Sequence, residues 1–271
     1  RLRASLRGTL PAVATLSAFV AALVALGTAI GSVETVSPTL GAALFLAQLV
    51  LYAALTVAAL KMAARLEGGD ASALGPNVDA ASLRRFLAGV TASLVGVAVS
   101  LWWGNLRGLR DVDLSAFAVQ SESAPLAVAS LLAVYAAYFL AGNVYEEVVY
   151  RRIALGNFAD GLAARGHSRR TAVGLATAAS LLLFGLYHVP LRGNLVVAVD
   201  AALTGVTFAF AYLLTGNLAL AAGVHFGRLP TVFMQGRTVA GVEVAPFVEL
   251  TDATLAANLE VRLVQIALVC T

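Results

Sequence analysis

The chain has 271 residues, of which 60% are hydrophobic and only 12% charged, with a mean hydropathy of +0.86. Soluble domains carry about 25% charged residues, so this chain cannot cover itself with a water-compatible surface, and the bilayer is its natural solvent. A net charge of +3 and a pI near 9.3 do not point to nucleic acid, because the basic residues fall in short clusters between apolar runs, the pattern of cytoplasmic loops.

A spanning helix needs roughly 20 apolar residues. In chain order the candidate spans are 9–30, 39–62, 84–103, 125–145, 171–189, 195–214, 217–235 and 255–271. None alternates with period two, which favours helices over a barrel. The last is interrupted by Asn258, Glu260, Arg262 and Gln265, and is expected to be truncated or to face protein rather than lipid. The first residue is Arg1, not Met, and an N-terminal piece is expected to be missing. The reading is an all-α, polytopic transmembrane bundle of about eight helices. It forms one membrane domain over 1–271, with a motif-bearing core at roughly 125–235, short loops, no internal repeat and no soluble domain.

Loop charges set the orientation. With the N-terminus inside, Arg1, Arg3, Arg7, Lys61, Arg65, Arg84, Arg85, Arg151, Arg152, Arg165, Arg169 and Arg170 all fall on the inner side, and only Arg107, Arg110, Arg192 and Arg237 outside. A multi-pass protein of the cell membrane with a cytoplasmic N-terminus is expected. Trp102 and Trp103 close the third span, where amphipathic rings favour the interface. The one cysteine, Cys270, excludes an intrachain disulfide and a cysteine metal cluster, and no C-a-a-X tail follows it.

Three constellations carry the chemistry. The fourth span ends in Glu146-Glu147-Val148-Val149-Tyr150-Arg151. On a helix Glu147 and Arg151 are i and i+4, the favourable order for an ion pair. Glu146 points about 100° away, with no local partner, and Asn143 sits one turn earlier on its face. A solvated helix end is the alternative. His188 ends the apolar run Phe184-Gly185-Leu186-Tyr187 and precedes Pro190; a structural hydrogen bond is the alternative. His225 lies mid-segment between Ala221-Ala222-Gly223 and Phe226-Gly227, where an ionisable group defaults to function and interhelix bonding is the alternative. Arg228 and Asp200 could pair with each other structurally. A carboxylate in an apolar pocket becomes a better general base, and the two histidines could share water or meet an oxyanion. No zincin helix or serine elbow is present.

These motifs together resemble the CPBP family: the type II CAAX prenyl endopeptidases and Abi-type membrane proteins. E-E-x-x-x-R reads Glu146-Glu147…Arg151, F-x-x-x-H reads Phe184…His188, and the third histidine is His225. The resemblance implies an intramembrane, metal-independent endopeptidase without a cofactor. Glu146 and His188 would activate water, and Glu147 and Arg151 would organise the site. His225 and an Asn four residues on would form the oxyanion hole, but that position is Leu229. Arg228, Asn143 and Asn217 are the candidates to replace it. Expected partners are membrane lipid and a peptide or protein substrate, prenylated proteins among them, and not nucleic acid. Two other readings stand beside this one. One is a zinc site built from Glu146, His188 and His225. The other is a non-enzymatic scaffold, immunity-type protein or transporter.

Overall fold

A computed structural model describes residues 3–30, 36–71, 74–192, 195–251 and 254–270. Helices α1 (Ala4–Ile30), α2 (Pro38–Glu67) and α3 (Ala80–Leu106) come first. Short strands β1 (Arg110–Val112) and β2 (Val119–Gln120) lead to α4 (Pro125–Glu146). That helix runs on through a π-helical stretch, Glu147–Leu155, into α5 (Gly156–Ala163). Then come α6 (Arg169–Tyr187), the single turn α7 (Val189–Arg192), α8 (Leu195–Thr215) and α9 (Leu218–Phe226). Strands β3 (Arg237–Val239), β4 (Val242–Val244) and β5 (Val248–Leu250) precede α10 (Leu255–Val269).

The helix starts are written locally. Side chains of Ser37, Asp79, Ser168, Asn217 and Thr254 each accept a backbone N–H in the first turn that follows, filling donors that have no intrahelical partner. Pro38 and Pro125 occupy first-turn positions where the missing N–H costs nothing.

Six helices among the described residues are long and apolar enough to cross a membrane: Ala4–Leu26, Pro38–Glu67, Ala80–Leu106, Pro125–Ala163, Arg169–Tyr187 and Leu195–Thr215. They coincide with the first six expected spans and make the chain an all-α membrane bundle. The expected segment 217–235 is different. Its helix stops at Phe226 and a 3₁₀ turn, Leu229–Val232, follows, because Pro230 cannot continue an α-helix. Nine residues reach only about 13 Å. The segment 255–271 forms a helix of 15 residues, roughly 22 Å at that rise.

The loops at one end are also not all short. Residues of the α3–α4 and α9–α10 connections pair with each other as two small antiparallel sheets, β1–β5 and β2–β4–β3. We call this the strand end. At the opposite end, Arg7 and Glu67 both bind Asn157 of α5, and Asn217 at the start of α9 binds Ser82 at the start of α3. The basic residues Arg3, Arg7, Lys61, Arg65, Arg84, Arg85, Arg165, Arg169 and Arg170 fall on the elements that meet at this basic end.

The broadest helix pairings are α2 with α4, α3 with α9 and α6 with α8. The α3–α9 contact brings backbones together. A Cβ on Gly223 would stand 2.1 Å from the Phe86 carbonyl oxygen, and one on Gly89 would stand 2.4 Å from that of Leu220. Small residues spaced by four let membrane helices approach this closely, and Gly223 and Gly227 bracket His225. Gly223→Val is therefore expected to separate the two helices. The cost is about 1–3 kcal/mol or more from overpacking, measured as a lower Tm in detergent, with Ala222→Val as the comparison.

Candidate active site

The α4–π–α5 helix carries both carboxylates to the middle of the bundle. Glu146 lies roughly 30 Å from the start of α4 and about 25 Å from the end of α5, by helical rise. Glu147 and Arg151 are 1% and 0% exposed. Arg151 Nε stands 3.4 Å from Glu147 Oε2, an ion-pair distance without hydrogen-bond alignment. The expected i,i+4 pair is present, but on a π-helical turn with i→i+5 bonding, a form that recurs at functional sites.

The other faces of the guanidinium are held as well. Arg151 Nη1 donates to Ser180 Oγ and Nη2 to the Gly205 carbonyl, both at 3.4 Å. The cation lies 4.9 Å from the Phe184 ring centroid. Gly205 makes this possible: a Cβ there would sit 3.1 Å from Arg151 Nη2. A charge this deep in a membrane bundle is expensive unless paired, so the surroundings of Arg151 are built from two other helices, α6 and α8.

His225 arrives from α9 between the two carboxylates. Its Nδ1 donates to Glu147 Oε1 at 3.0 Å, and its Nε2 faces Glu146 Oε2 at 3.6 Å. Glu146 therefore has a partner that spacing along its own helix did not reveal, because that partner comes from another helix. Phe208 of α8 stacks on the His225 ring, with centroids 3.9 Å apart and planes 16° apart. This fixes the plane of the imidazole.

His188 sits at the end of α6, 9% exposed. Its Nδ1 is 2.9 Å from the Phe184 carbonyl. A carbonyl only accepts, so Nδ1 carries the hydrogen, and in the neutral ring Nε2 is the basic nitrogen. The Phe184 ring lies edge-on to His188 at 4.8 Å and to His225 at 6.2 Å. Phe184, buried at 2%, thus separates the two imidazoles and also covers Arg151.

The supporting residues divide. Asn143 is 4% exposed and bridges two elements: its amide donates to the Phe139 carbonyl at 3.2 Å and accepts from the Phe226 N–H at 3.3 Å. It holds α9 to α4 immediately beside His225. Arg228 points elsewhere. Its Nη1 donates to Gln265 of α10 at 3.0 Å. The suggested Arg228–Asp200 pair does not form; Asp200 pairs with Arg262 at 2.8 Å, and Arg262 shares Gln265 with Arg228. Asn217 caps α9. Leu229 packs in an apolar cluster with Phe45, Leu131, Tyr135, Val239 and Val242.

The tyrosines were not singled out from sequence. Tyr52, Tyr138, Tyr145, Tyr150 and Tyr187 all lie in electrostatic range of Glu146, and their rings touch one another. One signal was available: Tyr138 and Tyr145 are seven residues apart on α4, so they share one face of the helix that leads to Glu146. Glu146, His188 and His225 form no three-ligand set with metal-binding geometry among the described residues.

Residues 128–228 match the family model described as type II CAAX prenyl endopeptidase Rce1-like. Over that part of its length the chain is similar to the CAAX-protease family, and the segment contains every motif residue from Asn143 to Arg228. No curated protein and no solved structure matches the chain.

Removing the cation should expose what it neutralises. Arg151→Met leaves Glu147 buried and is expected to cost about 3–5 kcal/mol, read as a lower Tm in detergent. The double variant Arg151→Met/Glu147→Gln should recover part of that loss.

Proposed function

We propose that the protein is an intramembrane endopeptidase that hydrolyses a peptide bond with water activated by Glu146 and His188. The observation that carries this reading is the division of the two carboxylates. Glu147 is committed to Arg151 and to His225 Nδ1, while Glu146 faces a histidine across 3.6 Å within the family-matched segment.

In this reading Glu146 takes the proton of a water that attacks the carbonyl carbon of the scissile bond. His188, with Nδ1–H fixed on the Phe184 carbonyl, accepts a hydrogen bond from the same water at Nε2, takes that second proton as the C–N bond breaks and passes it to the leaving amine. His225 turns Nε2 toward Glu146 and helps to fix the position of that carboxylate. Glu147 holds the ring as a carboxylate holds a catalytic imidazole elsewhere, and Phe208 keeps it flat. Arg151 prevents Glu147 from competing for the proton.

The basic end faces the cytoplasm in this proposal, following the bias of membrane proteins. A cavity of about 80 Å³ there is lined by Asn77, Arg152, Gly216 and Asn217, next in sequence to Arg151. It has room for water at that end. A prenylated peptide is the proposed substrate class, on the strength of the family description.

The test uses the purified full chain in proteoliposomes with a farnesylated C-a-a-X peptide, and release of the C-terminal fragment is read by mass spectrometry. Glu146→Gln and His188→Ala are each expected to abolish cleavage with an unchanged Tm. Full activity in Glu146→Gln would sink the mechanism. Chelator treatment is expected to leave the rate unchanged; loss of activity on chelation with recovery on adding zinc would favour the metal reading.

A further inference from the structure

The proposed reaction leaves one role without an occupant. A developing oxyanion needs donors aimed at it, and losing one such donor typically costs about 10²–10³-fold in rate. His225 already gives Nδ1–H to Glu147. Leu229 is apolar and packed away in its cluster. The Asn143 amide is used on both sides between α4 and α9. Arg151 is held by Glu147, Ser180 and Gly205, and Arg228 by Gln265.

Tyr187 presents what is missing. It precedes His188 on α6, is 2% exposed, and its ring meets the His188 ring edge-on at 5.1 Å. Tyr150 and Tyr145 wall it in at 5.5 and 6.4 Å. Its hydroxyl is sealed from solvent and finds no hydrogen-bond partner among the described residues. The Tyr52 phenol interacts with it without meeting hydrogen-bond geometry, and the Glu146 carboxylate is within electrostatic range. A buried hydroxyl left in this state costs the fold about 1–3 kcal/mol. It is a buried donor without a well-formed hydrogen bond, on the residue next to His188 and in electrostatic range of Glu146.

We infer that Tyr187 is a catalytic residue whose O–H donates to the carbonyl oxygen of the scissile bond and holds it as it becomes an oxyanion, the role for which Leu229 is unsuited. This rests on the endopeptidase reading above. The step balances simply. Water oxygen bonds to the carbonyl carbon, its proton passes to Glu146, and the C=O π pair moves to oxygen. Tyr187 keeps its proton and strengthens its hydrogen bond as that charge appears. The pair returns when the C–N bond breaks and the amine leaves protonated.

The variant Tyr187→Phe removes the hydroxyl and keeps the ring. With the farnesylated peptide in proteoliposomes, kcat is expected to fall about 10²-fold while KM stays nearly unchanged. Tm should be equal or higher, because an unpaired buried donor has been removed. Glu146→Gln is assayed beside it. If Glu146→Gln is inactive and Tyr187→Phe keeps full kcat, this inference falls and the endopeptidase reading stands. If both keep full activity, the endopeptidase reading itself falls. A rise in KM with kcat unchanged also overturns the inference, since the hydroxyl would then serve binding alone. Should Tm fall, kcat is compared per folded molecule at a temperature below both transitions, and an unchanged value overturns it.

Discussion

The ion pair between Glu147 and Arg151 is the constraint around which the centre of this protein is arranged. Both groups are sealed from solvent, and neither could stay charged at that depth alone. One carboxylate does not saturate a guanidinium with five donors, so α6 contributes Ser180 and the Phe184 ring, and α8 contributes the Gly205 carbonyl and the space left by its absent side chain. Satisfying one buried cation thereby fixes how three helical segments meet. The π-helical widening falls on the same residues, where it turns a regular helix into a scaffold for charge.

The second oxygen of Glu147 extends the arrangement to α9. Through it His225 is oriented, and Phe208 stacked on the ring leaves the imidazole one plane to occupy. The Asn143 bridge adds a backbone anchor one residue further along. The short α9 is then held by four different kinds of contact: an ionised hydrogen bond, an aromatic stack, the Asn143 amide bridge and the glycine approach to α3. A helix too short to span the bilayer is thus kept at a defined depth by its neighbours rather than by lipid.

Away from the centre, polar groups serve the packing of α10. Asp200, Arg262, Gln265 and Arg228 link α8, α10 and the turn after α9, and Glu260 accepts from both Trp103 and Arg107 of the α3 end. These contacts explain the polar interruptions in the last helix: they face α3, α8 and the turn after α9. The small sheets at the strand end tie the α3–α4 and α9–α10 connections together and bury Val242 and Val248.

Much of this was readable along the chain. Length and hydropathy set the first six membrane helices, because a run of apolar residues answers to the bilayer alone. The i,i+4 spacing announced the Glu147–Arg151 pair, since that contact is local. The end of α9 was also signalled, by Pro230, yet the apolar residues on either side made the segment read as a full span. What the chain could not show is which elements meet. That Glu146 faces His225, that Arg262 rather than Arg228 takes Asp200, that Leu229 lies in an apolar cluster, and that five tyrosines gather round one carboxylate all depend on contacts between residues far apart in sequence. Hydrophobic periodicity carries no record of such partners. They exist only once helices have packed closely enough for a buried charge to find its match.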